Sequence, residues 1–289
     1  MGWRTVIINK NCKLSYKNDY LIIRSEELKM IHLSEINMII VENGMASITS
    51  YLINELANKK IKLIICDEKH NPSCEMMPYY GSFDTSKQVV IQSNWKKENK
   101  EKAWKIIVQN KIKNQAKLLE NLQIDGYQKL EEYIEEVKDG DVTNREGHAA
   151  KVYFNLLFGN DFIRHKDDNT NIALDYGYSI LLSIFNRAIV SKGYITQIGI
   201  NHKSVFNQFN LASDLMEIYR PLVDEIVYEN REFSFDKEFK YKLIDNCNRK
   251  VVIEKREQFL VNSVPIFIKS VFDFLEENNE ESKILNYEF

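Results

Sequence analysis

The order of hydrophobic and polar residues divides the chain into two regions with different periodicities. Up to about residue 68 the apolar runs are short and rich in β-branched residues, which is typical of β-strands. A single amphipathic stretch in this region, from Ser47 to Lys59, predicts a helix. Strands are predicted at TVIIN (residues 5–9), DYLIIRS (19–25), EINMIIVEN (35–43) and IKLIICDE (61–68).

From Trp95 onward, helical periodicity continues almost to the C-terminus. Two of the 4 prolines fall between His70 and Gly81, so we interpret this segment as the connection between the two regions. We therefore expect an α+β protein. Its small β-rich N-terminal domain, with one helix, covers residues 1–80, a linker covers 81–94, and a larger all-α domain covers 95–289.

Composition narrows the possible classes of protein. The chain has 289 residues, 44% hydrophobic and 28% charged, which suits a globular protein large enough for two domains. The net charge of −3 means that any site for a polyanion must be a local patch. The 4 cysteines show no CxxC spacing of a zinc site, and no apolar run reaches the roughly 18 residues that span a bilayer. Without a signal peptide or membrane segment, a cytoplasmic location is expected.

The first predicted helix of the second region, Trp95 to Glu120, has a strong positive bias. Between positions 95 and 117 the sequence contains eight lysines and only two acidic residues, and Trp95 and Trp104 are interleaved with the lysines. Such a helix could follow a phosphate backbone, although a lysine-rich face can also serve solubility alone. The lysines that we expect to contact DNA are Lys96, Lys97, Lys100, Lys105 and Lys111.

Two other segments are acidic. The stretch from Leu130 to Asp141, LEEYIEEVKDGD, would repel DNA and is expected to face away from it. The C-terminal tail, EENNEESKILNYEF, is acidic as well, and the sequence leaves open whether it is a mobile end or a docking peptide.

Candidate chemistry concentrates between Gly199 and Asp224. His202 lies in a polar loop before a helical segment with Asp214 and Glu217, which are three residues apart and project from one helix face. Pro221 then kinks or ends that helix. An imidazole and several carboxylates suit a divalent cation such as Mn²⁺ or Mg²⁺, whereas the alternative is a solvated helix face.

A second candidate lies in the segment from Asp141 to Gly159, which predicts a helix capped by Thr143 or Asn144. Glu146 falls in its first turn. Gly147 follows directly and weakens the helix by about 1 kcal/mol, a cost usually tolerated where a backbone or ligand comes close. Glu146 is therefore a candidate metal ligand, and the alternative is a carboxylate that complements the helix dipole.

Together these segments resemble a known family, the CRISPR-associated integrase that inserts new spacers into a CRISPR array. The order and separations of the motifs match along the whole chain, and the N-terminal portion resembles the branch found in type II systems. The motifs are Arg145–Ala150 (REGHAA), Asp175–Tyr178 (DYGY), Asn186–Ala188 (NRA), Gly199–His202 (GINH) and Asp214–Asp224 (DLMEIYRPLVD).

The resemblance implies a catalytic site built on a divalent cation, Mg²⁺ or Mn²⁺. Some branches carry an aspartate where this chain has Glu217, which leaves open a share of the ligand role for Asp214. By this resemblance the catalytic metal ligands are Glu146, His202 and Glu217, with Asp214, Asp224 and Arg220 in supporting positions.

The resemblance also implies a reaction and an assembly. The expected activity is that of a metal-dependent DNA endonuclease and integrase, in which a 3′-hydroxyl of double-stranded prespacer DNA attacks a repeat-end phosphodiester. The expected assembly is a homodimer, formed largely through the N-terminal domain, that flanks a second universal adaptation protein in a heterohexamer. Two alternatives stay open: a non-catalytic helical DNA-binding scaffold with a structural acidic cluster, and an unrelated metal-dependent phosphohydrolase. The phosphohydrolase alternative lacks support because the chain has no glycine-rich phosphate loop.

Overall fold

The N-terminal region folds into two four-stranded sheets and one helix. The computed structural model describes residues 2, 4–68, 70–79, 82, 84–276 and 283–289. The strands of this region are β1 Arg4–Ile8, β2 Lys13–Lys17, β3 Tyr20–Arg24, β4 Leu28–His32, β5 Ile36–Val41, β6 Ser47–Ile48, β7 Lys62–Cys66 and β8 Pro72–Glu75, and the helix is α1 Ser50–Asn58.

The first sheet has the order β1-β5-β7-β8, with the first three strands parallel and β8 antiparallel at the edge. The second has the order β4-β3-β2-β6. All four predicted strands are confirmed, as is the helix, whose N-terminus Thr49 caps by accepting a hydrogen bond from the backbone N–H of Leu52. The sequence did not predict β2, β4, β6 and β8.

Strand β5 is buried at all six positions because both faces of its sheet are covered. Ile39 and Val41 face the second sheet and α1, in a core that includes Leu52. Met38 and Ile40, on the opposite face, join the core of the helical region. Because successive side chains of a strand point to opposite faces, this sheet contributes to the hydrophobic cores of both regions.

The second region is largely helical, with α3 and α6 as its longest helices. Helix α6 packs against α7, α8, α9 and α10, and α3 packs against α4, α5, α8 and α10. The helices are α2 Thr85–Ser93, α3 Lys97–Asn121, α4 Gln128–Glu136, α5 Arg145–Phe158, α6 Asn169–Val190, α7 Asn210–Met216, α8 Arg220–Glu229, α9 Lys237–Asp245 and α10 Leu260–Leu275.

Two expectations about this region need correction. The predicted linker, residues 81–94, contains helix α2, while positions 81 and 83 of that range lie outside the described residues. The second region is also not all-α, because β9 (Lys250–Ile253) and β10 (Arg256–Phe259) form an antiparallel hairpin. The fold class remains α+β, with N-terminal strands followed by a largely helical region.

Residues at the end of α6 join the two regions. Asn186 Nδ2 donates to Glu75 Oε1 at 3.0 Å, and Arg187 donates to Asn37 Oδ1 at 3.0 Å. Glu75 in turn pairs with the buried Lys62. These contacts fix the sheet β1-β5-β7-β8 against the helical region and account for Asn186 and Arg187 near the end of this largely apolar helix.

The described end of the acidic tail, residues 283–289, packs against the helical core. Tyr287 is buried and its ring lies 4.8 Å from that of Tyr219, while Glu288 pairs with Val252 beside the hairpin. Residues 277–282 of the tail lie outside the described residues. Among the helices that the structure describes, none has both the length and the apolar character that a bilayer crossing needs.

Candidate active site

Glu146 lies in the first turn of α5, where a buried aspartate holds the backbone. Asp141 accepts hydrogen bonds from the backbone N–H groups of Arg145 at 2.8 Å and Glu146 at 3.0 Å. Asn144, one of the two predicted cap residues, occupies the cap position, but its φ is 52° and its side chain makes no capping hydrogen bond. The carboxylate of Asp141 thus provides acceptors for backbone N–H groups at the N-terminus of α5 and fixes the position of the Glu146 backbone.

Gly147 is explained by a close contact within the chain. A Cβ atom built at this position would lie 2.8 Å from Oδ1 of Asn144, closer than side chains tolerate. The expected close backbone segment is absent among the described residues, because the nearest group is this side-chain amide. The approach of a ligand stays a prediction. Because glycine has no Cβ atom, the side-chain amide of Asn144 can pack against the first turn of α5.

Glu217 begins a short 3₁₀ turn, Glu217–Tyr219, between α7 and α8. Pro221 lies in the first turn of α8, where its missing N–H costs nothing, so the regular helix ends before it and a new one begins. Glu217 is only 5% exposed and Asp214 is fully buried. The alternative of a solvated helix face is therefore wrong, because both carboxylates point into the protein.

His202 is positioned by the carboxylate of Asp214. Asp214 accepts backbone hydrogen bonds from Ile200 (2.6 Å), Asn201 (3.0 Å) and His202 (3.0 Å), and its Oδ1 lies 2.6 Å from Nδ1 of the His202 ring. A Cβ at Gly199 would come within 2.7 Å of Oδ2 of Asp214, so glycine is required for this approach. A proton on Nδ1 leaves the lone pair of Nε2 available as a ligand.

Glu146 and Glu217 meet at the ammonium group of Lys111. Lys111 Nζ donates to Glu146 Oε1 at 2.7 Å and contacts Glu217 Oε2 at 2.6 Å, with 10% of its side chain exposed. The prediction that Lys111 belongs to an exposed DNA-contacting face is therefore wrong. It lies on the inner side of α3, in a stripe with the four-and-three spacing of a buried helix face: Trp104, Val108, Lys111, Gln115 and Leu118.

The electrostatics of the site favour the ionised form of Glu217. Burial would raise the pKa of Glu217, but the charges of Arg220 and Lys111 outweigh burial and lower the pKa to about 2. Arg220 Nε donates to Glu217 Oε1 at 2.8 Å. The pKa of His202 is raised, first by the hydrogen bond to Asp214 and further by the charges of Glu217 and Glu146, with burial opposing. The imidazole therefore lies within the electrostatic range of both glutamates.

Asp224, the other supporting aspartate, makes a separate cluster. It accepts hydrogen bonds from the hydroxyl groups of Tyr153, at 2.8 Å, and Tyr178. Burial raises the pKa of Asp224 to about 6, despite these donors. The guanidinium of Arg220 lies 4.3 Å from the centre of the Tyr178 ring, so Asp224 connects with the glutamate pair through Tyr178 and Arg220.

The donor set fits a divalent cation. Two carboxylates and a neutral imidazole are ligands that Mg²⁺ and Mn²⁺ accept, and the space between the carboxylates already holds a positive group. Within the described residues, no three His, Cys, Asp or Glu side chains are assembled as a ready metal cluster. The shared ion of Glu146, His202 and Glu217 stays a prediction. The structure brings the two glutamates together at Lys111 and orients His202 against Asp214, within electrostatic range of both glutamates.

A basic cleft opens beside His202. It has a volume of about 310 Å³ and is lined by Trp104, whose ring meets that of His202 edge-on at 5.9 Å, and by Lys100 and Lys203. Burial and the charge of Lys203 both lower the pKa of Lys100, because the two cations repel each other. Among the other lysines predicted to contact DNA, Lys97 also lines the cleft and pairs with Glu101, Lys105 pairs with Asp139, and Lys96 precedes α3.

Comparison with known proteins identifies a matching family and several relatives. The model of the family described as CRISPR associated protein Cas1 matches residues 5–258. The CRISPR-associated endonuclease Cas1 of Neisseria meningitidis serogroup C (strain 8013) is 35% identical over 226 residues, covering 78% of this chain and 74% of the relative. A second relative, CRISPR-associated endonuclease Cas1 1 of Pyrobaculum aerophilum, is 25% identical over 245 residues, covering 78% of this chain and 81% of the relative.

Solved structures share the fold at lower identity. A casposase bound to integration product matches with a TM-score of 0.78 and 19% identity, over 97% of this chain and 93% of that one. A Cas1 protein from Thermotoga maritima matches with a TM-score of 0.76 and 16% identity, over 94% and 97% of the two chains. The family match and the Neisseria relative confirm the resemblance that the motifs indicated. The chain belongs to the Cas1 family of CRISPR-associated proteins.

Proposed function

We propose that this chain is a divalent-metal-dependent DNA endonuclease and integrase that inserts prespacer DNA into a CRISPR array. Its relative from Neisseria meningitidis is named an endonuclease, and the casposase with the same fold is bound to an integration product. The observation that carries the proposal is the meeting of Glu146 and Glu217 at one cationic group, within electrostatic range of a His202 oriented by Asp214.

In this proposal Glu146, Glu217 and Nε2 of His202 hold Mg²⁺ or Mn²⁺. The bound cation supplies the charge stabilisation that a phosphodiester needs while a DNA 3′-hydroxyl attacks it. Asp214 holds the imidazole in one tautomer and orientation, which is the common role of a carboxylate behind a metal-binding histidine. Arg220 fixes Glu217 in its rotamer and keeps it ionised.

The DNA backbone would approach through the basic cleft beside His202. Lys100 and Lys203 repel each other there, so a phosphate between them relieves an existing electrostatic cost. The lysines Lys96, Lys97 and Lys105, near the start of α3, would extend this contact along the strand. Lys111 has no part in it, because it is buried among the carboxylates.

The proposal includes partners. A Cas6-RT-Cas1–Cas2 complex shares the fold with a TM-score of 0.71 at 18% identity, over 97% of this chain and 36% of that one. We propose that the present chain acts as a homodimer, formed largely through its two N-terminal sheets, together with Cas2 in a heterohexamer on double-stranded DNA. A Cas2 pull-down and the mass of the complex in solution test this assembly.

The direct test of activity is Glu146→Gln, with Glu135→Gln, an exposed glutamate of α4, as the matched control. The substituted amide keeps the size of the glutamate side chain but loses the charge that a cation needs. We expect joining of a prespacer to a repeat to fall at least about 100-fold in Glu146→Gln, to stay normal in the control, and to stop in EDTA. DNA binding should persist in all three cases.

Joining at the wild-type rate by Glu146→Gln, or in EDTA, would contradict the proposal. DNA binding without joining by the wild-type protein, in the presence of Mn²⁺, Cas2 and a repeat, would instead favour the alternative of a non-catalytic scaffold. The measurement is the amount of joined product on a denaturing gel against time.

A further inference from the structure

A buried positive side chain lies where the proposed function needs a metal ion. Lys111 Nζ is within hydrogen-bonding distance of both Glu146 and Glu217, and α3 delivers it from the buried side of the helix. A lysine is almost never this deeply buried unless it is paired, so its presence has a specific electrostatic consequence. Without it, two carboxylates would face each other with no cation between them.

The ammonium group and a divalent ion cannot both fill this space. Like charges in contact inside a protein repel strongly, because the surroundings screen them less than water does. A metal ion also needs the carboxylate oxygens at about 2.1 Å, closer than the hydrogen bonds of an ammonium allow. Lysine carries its charge on a flexible four-carbon stem, so it can withdraw without movement of the helix.

The remaining contacts show what would stay in place after such a withdrawal. Glu217 uses its two oxygens for different partners, since Arg220 holds Oε1 while Lys111 contacts Oε2. The backbone of Glu146 is held separately by Asp141. Departure of the ammonium thus frees Oε1 of Glu146 and Oε2 of Glu217 as ligands, while both residues keep their anchors.

We propose that Lys111 is a built-in cation, which holds Glu146 and Glu217 together before a divalent ion binds and then competes with that ion for them. The inference rests on the proposed function, because it assigns the same carboxylates as ligands. It makes metal binding an exchange of one cation for another. Lys111 therefore sets the affinity of the site for metal.

A purely structural ion pair has a different signature. If Lys111 only stabilised the fold, its removal would lower stability and leave metal affinity unchanged or weaker. If Lys111 competes with the metal, its removal lowers the stability of the metal-free protein but strengthens metal binding. The two effects have opposite signs, so affinity and stability together distinguish the roles.

The test uses Lys111→Met, which keeps the length of the stem without the charge, and Lys113→Met, an exposed lysine of the same helix, as control. Mn²⁺ binding is measured by electron paramagnetic resonance on the full chain without DNA. We expect Lys111→Met to bind Mn²⁺ about tenfold more tightly than wild type, within the usual range of coupling between two sites. Lys113→Met and the charge-preserving Lys111→Arg should match wild type.

Thermal melts supply the second signature. In EDTA, Lys111→Met should melt below wild type, and Mn²⁺ should raise its melting temperature by more than it raises that of wild type. Equal or weaker Mn²⁺ binding by a folded Lys111→Met would overturn the inference but leave the proposed function standing. If the wild-type protein shows no Mn²⁺ binding that is lost in Glu146→Gln, the proposed function is overturned, and this inference with it.

A measurement on the wild-type protein keeps the inference testable if Lys111→Met does not fold. In crystals soaked with Mn²⁺, the ammonium of Lys111 should leave at least one of the two glutamate oxygens that it contacts in the metal-free state. An ammonium still within hydrogen-bonding distance of both oxygens, with Mn²⁺ bound to the same carboxylates, would overturn the inference.

Discussion

Two buried carboxylates seven residues apart, Glu217 and Asp224, have opposite electrostatic surroundings. Glu217 is paired with the cations Lys111 and Arg220, which lower its pKa to about 2. Asp224 is surrounded by the neutral hydroxyls of Tyr153 and Tyr178, and burial raises its pKa to about 6. Both are nearly inaccessible to solvent, at 5% and 1% exposure, so burial alone does not separate them.

The difference indicates which carboxylate can bind a metal ion. A carboxylate held ionised by a lysine can exchange that lysine for another cation with little change in local charge. The side chain of Asp224 is instead occupied by two hydroxyl donors that cannot be replaced by a metal without leaving them unsatisfied. We interpret Glu217 as part of the reactive site and Asp224 as a structural support, linked to it through Tyr178 and Arg220.

The largest expected contrast is in activity. Glu217→Gln removes the charge of a proposed ligand, so we expect the rate of prespacer joining to fall at least about 100-fold, more than the loss of a group behind a ligand usually costs. Asp224→Asn keeps an acceptor oxygen for one tyrosine hydroxyl and offers an amide N–H that the other hydroxyl can accept. It should retain a rate close to wild type. Single-turnover joining assays at saturating Mn²⁺ measure both variants, and an equal loss in the two would remove the distinction.

The next contrast is in the pH dependence of stability. Folding raises the pKa of Asp224 from 3.8 to about 6, so its ionisation opposes the fold and stability declines as pH rises through this window. Folding lowers the pKa of Glu217 from 4.5 to about 2, so its contribution is present above about pH 4.5 and is lost as pH falls.

Urea unfolding of metal-free protein at several pH values separates the two groups. Relative to Asp224→Asn, wild type should become less stable as the pH is raised from 4 to 7. Relative to Glu217→Gln, wild type should become more stable as the pH is raised from 2.5 to 5. Slopes of the same sign for both variants would show that the two carboxylates do not differ in the way described.

The smallest expected effect comes from Tyr178→Phe, which removes one hydroxyl donor from Asp224 but keeps the ring beneath Arg220. We expect a loss of about 1–2 kcal/mol of stability at pH 7, from one buried hydrogen bond to a charged group. Joining activity should change little. The exposed Tyr51→Phe is the control for stability. A loss of activity as large as that of Glu217→Gln would place Asp224 within the reactive site.

The sequence predicted strands where apolar runs were dense and missed those of mixed composition. Strand β5, INMIIV, is buried on both faces and has an unmistakable apolar run. Strand β2, KLSYK, is half polar, and β8 begins with a proline, which is tolerated because β8 lies at the sheet edge. The hairpin of β9 and β10 turns at Glu254 and Lys255, both with positive φ, where the usual asparagine or glycine signal is absent.

The metal-ligand candidates were recognisable from the sequence, but their surroundings were not. Carboxylates and a histidine in known motifs indicate Glu146, His202 and Glu217, whereas the net charge of the α3 sequence does not distinguish the buried Lys111 from the exposed lysines of the same helix. Its place in the buried stripe of α3 was the signal that could have separated it. Asp141 lies four residues before the first residue of α5, too far for the usual capping pattern.

The most direct measurement of the central claim is anomalous diffraction from Mn²⁺ in soaked crystals of the wild-type protein. We predict a peak within coordination distance of one carboxylate oxygen from each of Glu146 and Glu217 and of Nε2 of His202, and no such peak in Glu146→Gln. A peak at a different set of side chains, or one that touches neither glutamate, would contradict the shared metal site.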